Sequence, residues 1–285
     1  MKFLLKLISV LLLLGILAFV GVYFFGTTDL RTTTAKNNPD EAKAKQLLKD
    51  MAAAHQIQYW DSLTTYSVTY GEEFFGSIGQ SSHPFPEHKN QFKLSYIPNT
   101  YDGRLEFLKG PSKGDVWGIQ SWNTYLSDAS NVNKFQNDQN VFFWVPTYQY
   151  FIEFPLRIQN ADALAYAGQA TINGKNCEGV LASWNTTAPQ RDIDQYLIWL
   201  DSDTKRIVKM EYTVREMFNF ITGAASYNDY QDFNGIILPS KMPVESNLVS
   251  DGFLHEMSIL DFARNEVPVE KIRPNANLPV MGDEK

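Results

Sequence analysis

Four histidines, one cysteine and two Asp-x-Asp pairs carry most of the chemistry this chain could offer. His83-Pro84-Phe85-Pro86-Glu87-His88 holds two imidazoles five residues apart and is the one cluster with conceivable metal ligands. A helical zinc motif needs both rings on one helix face, and the prolines prevent that helix, so a polar loop is the better reading. Asp192 with Asp194, and Asp201 with Asp203, have the spacing of calcium-loop acids. Neither pair is followed by the Asp/Asn-Gly and distant Glu of an EF-hand. Asp201-Ser202-Asp203-Thr204 reads instead as a hairpin turn whose side chains bond their own backbone. Cys177 has no recognisable histidine partner and reads as a buried structural thiol. Asn185-Thr186-Thr187 matches a glycosylation sequon, which matters only in a eukaryotic secretory pathway. There is no G-x-S-x-G elbow, phosphate-cradling glycine loop or dinucleotide fingerprint. These motifs support no catalytic residue, no metal site and no cofactor.

The surplus lies in aromatic surface. Aromatic residues make up 14% of the chain, and Val141 to Pro155 is too apolar for a surface loop. Two prolines, Pro146 and Pro155, interrupt this run, which predicts short helical pieces rather than a long strand. Each aromatic taken singly is ordinary core. As a set, Phe142, Phe143, Trp144, Tyr150, Phe151 and Phe154 are suited to cover the concave face of a curved sheet without filling it. The strand residues expected to face that space are Tyr96, Phe107, Val208, Met210 and Tyr212. Such a cavity suits an acyl chain.

The elements that must position these residues are mostly strands. Asn38-Pro39-Asp40-Glu41 opens a helix with a capping side chain and early acids, and Leu47, Leu48, Met51 and Ala52 recur at helical spacing up to about His55. Alternation then takes over at Tyr66–Tyr70, Gln91–Tyr96, Arg104–Phe107 and Asp115–Gln120. Asn131 to Asn140 is polar and reads as a loop or frayed helix. Asn173-Gly174, Asp201 to Thr204 and Asn234-Gly235 mark three later hairpins, and His255 to Asn265 is a last strand. In the hairpin from Tyr196 to Glu216, Val208, Met210, Tyr212 and Val214 are expected inside. Lys209, Glu211, Thr213 and Arg215 are expected in water. The expectation is mainly β with helices (α+β): a curved antiparallel half-barrel of ten or eleven strands closed by short helices.

The N-terminus sets the compartment. Leu7 to Phe25 is 19 residues without a formal charge, flanked by Lys2 and Lys6. That length is about enough to cross a bilayer as one helix, and bulky Tyr23-Phe24-Phe25 stands where a signal peptidase needs small residues. A retained single-pass anchor is expected, with a cleaved signal as the alternative. The positive-inside rule leaves the rest of the chain exported. The expected division is a cytoplasmic tip at 1–6, an anchor at 7–26, a linker at 27–39, one domain at 40–270 and an extended tail at 271–285. Of 32 acids and 25 bases, removing Asp29, Lys2, Lys6, Arg31 and Lys36 leaves 31 and 21, a charge of about −10 on the exported part. That charge repels phosphate backbones, so nucleic acid is not an expected partner.

Several segments together resemble a known family. Trp199-Leu200-Asp201 through Met210-Glu211-Tyr212 is similar to a hairpin of Lol-type lipoprotein carriers and their outer-membrane-lipoprotein-sorting relatives. Tyr227-Asn228-Asp229-Tyr230 through Gly235-Ile236-Ile237-Leu238-Pro239 resembles the next hairpin of that family. Ala161 to Trp184, with Gly168, Asn173-Gly174 and Cys177, is similar to a segment of its uncharacterised members. Ala42 to Leu63, ending Trp60-x-x-Leu63, looks like its opening helix. The resemblance spans about Glu41 to Asn265 and implies an open half-barrel that binds lipid or lipoprotein acyl chains in the Gram-negative envelope. It carries over no catalytic residue, and the anchor reading places the chain in the inner membrane with its C-terminal domain in the periplasm. The chain departs from the soluble carriers in its apparent anchor, and from the outer-membrane acceptor in lacking a lipidation cysteine. The alternative is an envelope scaffold or sensor with a fully packed barrel and a protein partner, and cavity volume separates the two.

Overall fold

The structure is a computed structural model that describes residues 8, 10–15, 17, 20, 21, 26–128, 133–249 and 252–282. The cytoplasmic tip expected at 1–6 lies outside these residues, as does much of the anchor expected at 7–26. Among the described residues no helix is long and apolar enough to cross a membrane.

One open antiparallel sheet holds the fold together. Its strands are β1 (Tyr66–Phe74), β2 (Lys89–Tyr96), β3 (Gly103–Phe107), β4 (Val116–Gln120), β5 (Asn123–Ser127) and β6 (Lys134–Phe135) in the first half. The second half comprises β7 (Ala163–Ile172), β8 (Lys175–Ser183), β9 (Tyr196–Asp201), β10 (Ile207–Thr213), β11 (Thr222–Ser226), β12 (Asn228–Phe233), β13 (Ile236–Ser246) and β14 (His255–Arg264). The order is β6-β5-β4-β3-β2-β1-β14-β13-β11-β10-β9-β8-β7, with β12 also on β13. The chain thus meanders outward from β1 to one edge, crosses to the other edge, and meanders back until β14 closes on β1. Tyr66, Val68, Tyr70, Phe92, Leu94, Tyr96, Leu105, Phe107 and Ile119 are all buried, as period-two alternation requires of one covered face.

The crossing element is one helix, Gln139–Ile152, with Pro146 inside it. This corrects the expectation of short pieces. Asp138 caps the helix, its Oδ1 accepting from Asn140 N–H and Val141 N–H at 2.9 and 3.1 Å. Proline cannot bond back four residues, and the Thr147 hydroxyl donates to Phe143 O at 2.6 Å beside it. Packing of the helix against β3, β4 and β5 outweighs the lost backbone bond. A buried polar knot fixes the far end of the helix. Glu153 Oε1 accepts from the Tyr66 hydroxyl at 2.7 Å and from Gln149 Nε2 at 2.9 Å. Arg157 pairs with Glu153 at 2.7 Å and donates to Thr100 O at 2.6 Å. The carboxyl is fully buried, and burial pushes it up while Arg157 opposes that shift.

Fourteen strands are described rather than ten or eleven. The missed β5 follows β4 through Ser121-Trp122, both with positive φ (50° and 60°), so the turn has the left-handed backbone of a tight hairpin without its usual Asn or Gly. The first arm of the hairpin expected around Asn234-Gly235 divides at Tyr227 into β11 and β12. The capped helix Glu41–Ala54 does form, with Asp40 accepting from Lys43 N–H, and packs Ala44, Leu47, Leu48 and Met51 inward.

The convex face carries its own small core. Ala165, Ala167, Cys177, Leu181, Leu197, Trp199 and Val208 pack there under Leu30 and Ala35 of the N-terminal segment. Val208 therefore corrects its expected face. The β9–β10 register shifts between Ile207 and Lys209, and this bulge rotates Val208 outward while Ile207 and Met210 stay in the main core. Thr213 and Arg215, expected in water, are buried. The C-terminal segment also docks: Arg273 bonds Asp102, Asn275 N–H donates to Gln120 Oε1 at 3.1 Å, and the Tyr125 hydroxyl donates to Ile272 O at 3.0 Å.

Candidate functional site

Between the crossing helix and the sheet lies a cavity of about 480 Å³. The helix supplies Phe142, Phe143, Trp144, Tyr148, Tyr150 and Phe151, and the sheet supplies Tyr196, Met210, Tyr212, Gly223, Val244 and Met257. Strands from both halves of the sheet surround one helix, so the sheet curves around it as a half-barrel. A helix of roughly 10 Å diameter cannot fill such a concavity, and a void is the geometric consequence.

Of the residues expected at the site, the structure brings Phe142, Phe143, Trp144, Tyr150, Phe151, Met210 and Tyr212 together on the cavity wall. Phe154, Tyr96 and Phe107 lie in the packed core behind it, at 0, 0 and 2% exposure. Val208 is on the opposite face of the sheet. Gly223 faces Tyr212 across β10 and β11, and the missing side chain leaves room for the tyrosine ring.

The wall has two polar places, of which the sequence motifs marked only Asp194, as half of an Asp-x-Asp pair. On one side His255 Nδ1 meets Glu72 Oε1 at 2.7 Å, with the imidazole stacked on Phe74. Glu72 is buried, which pushes its carboxyl above the ordinary range, opposed by His255. The Tyr148 hydroxyl lies beside that carboxylate without completing a well-formed hydrogen bond, and Glu72 Oε2 is likewise unmatched. His255 lines the cavity and has Nδ1 engaged, so Nε2 is the nitrogen left for a ligand oxygen or hydroxyl. On the other side, Asp194 accepts from the Thr213 hydroxyl at 2.8 Å and from Arg215 N–H at 2.9 Å. Burial raises its carboxyl too. These groups could orient a polar head group while the aromatics hold an apolar tail.

The two residues of the candidate metal cluster, His83 and His88, do meet, Nε2 to Nδ1 at 3.0 Å on the exterior. Among the described residues no three of His, Cys, Asp and Glu gather as metal ligands would. Cys177 is buried in the convex core, where burial raises its thiol. Asp201 Oδ1 accepts from Asp203 and Thr204 N–H at 2.9 Å, the turn chemistry expected there.

The sequence matches no family profile and no curated protein. Solved structures do match the fold. One is an outer membrane lipoprotein-sorting protein domain from Vibrio parahaemolyticus, with TM-score 0.52 and 11% identity over 82% of this chain and 98% of that one. A DUF1329 family protein from Desulfovibrio piger has TM-score 0.52 and 9% identity over the same shares. A LolA superfamily protein from Nitrosomonas europaea has TM-score 0.52 and 10% identity over 80% and 96%. At such identities the likeness establishes architecture: this chain has the fold of Lol-type carriers.

Proposed function

We propose that this protein is a non-catalytic binder of an acyl chain, lipid or lipidated segment, tethered to a bacterial inner membrane with its half-barrel in the periplasm. The observation that carries the reading is the cavity. Its volume of about 480 Å³ falls in the range of small-molecule sites, and aromatic and aliphatic side chains make up most of its wall. A scaffold with a fully packed barrel would have no such space. The fold is shared with a domain designated as lipoprotein-sorting, which agrees with this reading. The chain's acidic charge means that burial of apolar surface must drive the binding.

Two measurements test the proposal. Native mass spectrometry of the chain, purified without added lipid, is expected to show a co-purifying acyl species. Trp144 lies on the wall, so a fatty-acyl ligand is expected to change tryptophan emission, and Trp144→Phe should lose much of that change while keeping the fold. Trp122 also lines the cavity, and its Phe variant should remove a further share. Emission and melting temperature that no acyl ligand perturbs would reject the carrier reading in favour of a scaffold.

A further inference from the structure

The cavity has a mouth at one end of the strands. Ile78, Met217 and Leu248 all line it, yet are 41, 53 and 43% exposed. They come from three different connections: the short helix Gly76–Ser81 after β1, the loop between β10 and β11, and the loop between β13 and β14. Phe253, in the last of these, is exposed as well. Apolar side chains from separate segments that converge at an opening leave a patch unsuited to water.

The N-terminal segment ends at the same place. Thr28 N–H donates to Asn219 O at 3.0 Å, and Arg215 bonds both Thr28 O and Asn219 O, fastening the segment to the loop that carries Met217. The apolar run of the sequence ends at Phe25, three residues earlier. Three extended residues cover about 10 Å, so a membrane that holds the run lies within that reach of the rim. Residues 27–39, expected as a linker, offer no slack here: Leu30 N–H donates to Gln195 Oε1 at 3.0 Å, and the Thr32 hydroxyl donates to Ala167 O at 2.8 Å.

We propose that the cavity mouth rests on the bilayer holding the chain's own N-terminal apolar run, with Ile78, Met217 and Leu248 dipping into it, so that an acyl chain passes from membrane to cavity without crossing water. This rests on the tethered-carrier reading above. Apolar contact and the short tether, rather than charge, hold the rim in place, because Glu216 and Glu245 also line the mouth and would not favour anionic lipid. A long flexible linker would let the domain tumble freely, whereas a docked one fixes which end faces the membrane.

The test uses the full-length chain in dioleoylphosphatidylcholine vesicles. An environment-sensitive bimane is placed at Met217→Cys, at Leu248→Cys and, as control, at Asp203→Cys in the exposed turn at the other end of β10. All three sites are exposed, so the fold should survive, and melting temperature checks this. Nitroxide-bearing lipids are expected to quench the two rim labels several-fold more than the Asp203 label, and iodide to show the reverse order. Equal quenching at all three positions overturns the proposal, as does a purified chain whose mass lacks residues 1–26. In the same vesicles doxyl-stearate is expected to quench Trp144. If that quenching persists while rim and control labels behave alike, only the docking proposal falls. If the rim is buried but doxyl-stearate leaves Trp144 untouched, the docking surface stands and the carrier reading falls.

Discussion

His55 ends the N-terminal helix and is buried beneath β10, where its Nε2 accepts from Ile207 N–H at 3.3 Å. That geometry requires a neutral ring. Burial, with Arg206 nearby, pulls its pKa from the ordinary 6.5 down to about 3. The unfolded chain binds a proton as pH falls below 6.5, while the native chain refuses it until about 3, so acidification favours unfolding throughout that window. Between about pH 7.5 and pH 5 the linkage integral for this one group is about 2 kcal/mol of lost stability. His55→Gln can keep an acceptor for Ile207 N–H and cannot titrate. It should be less stable than wild type near pH 7.5, because a packed ring is lost, and the gap should narrow by about 2 kcal/mol at pH 5. Urea unfolding of both proteins, followed by circular dichroism at several pH values, measures the gap. Taking the difference between the curves removes the contributions of Glu72, Glu153 and Asp194, whose raised carboxyls act in the opposite sense. Parallel curves would show that His55 is not the buried neutral acceptor described.

The other predictions concern the helix that covers the cavity. Arg157→Met leaves Glu153 buried without its cation and should cost about 3–5 kcal/mol, read as a lower urea midpoint. The double variant Arg157→Met with Glu153→Leu should recover much of that loss, and failure to recover would mean that packing of Arg157 rather than its charge matters. Gly223→Ala would place a methyl 2.4 Å from the Tyr212 ring and drive that ring into the cavity. Acyl binding by fluorescence titration should weaken while melting temperature changes little, and unchanged binding would show that this wall does not bound the ligand.

Much of the sheet was legible because the signals are local. Alternating aromatics at Tyr66, Val68 and Tyr70, the Asn173-Gly174 turn and the Asp40 cap are each decided by neighbours within a few residues. The aromatic run of the crossing helix was legible as a cover for the same reason, since no exposed segment keeps so many apolar side chains. The face of Val208 was not, because one bulge changes the parity of a strand and depends on how β9 pairs with it. Nor was the burial of Thr213 and Arg215, whose partners Asp194, Asn219 and Thr28 stand up to 187 residues away.

Read without its fold, the chain is already a mostly β, acidic protein with an apolar N-terminal run and an aromatic segment set between two groups of strands. Composition and short-range periodicity suffice for those statements. The tertiary structure alone decided that the aromatic segment is one helix despite Pro146, that it leaves a cavity instead of filling the sheet, and that His255 and Tyr148 reach the wall with Glu72 buried behind them. It also decided that the N-terminal segment is fastened beside the cavity mouth. A void is a property of how far a sheet curves around a helix, and a meeting of residues distant in sequence is a property of strand order. Both are set by the summed packing of the whole chain, which no window of neighbouring residues contains.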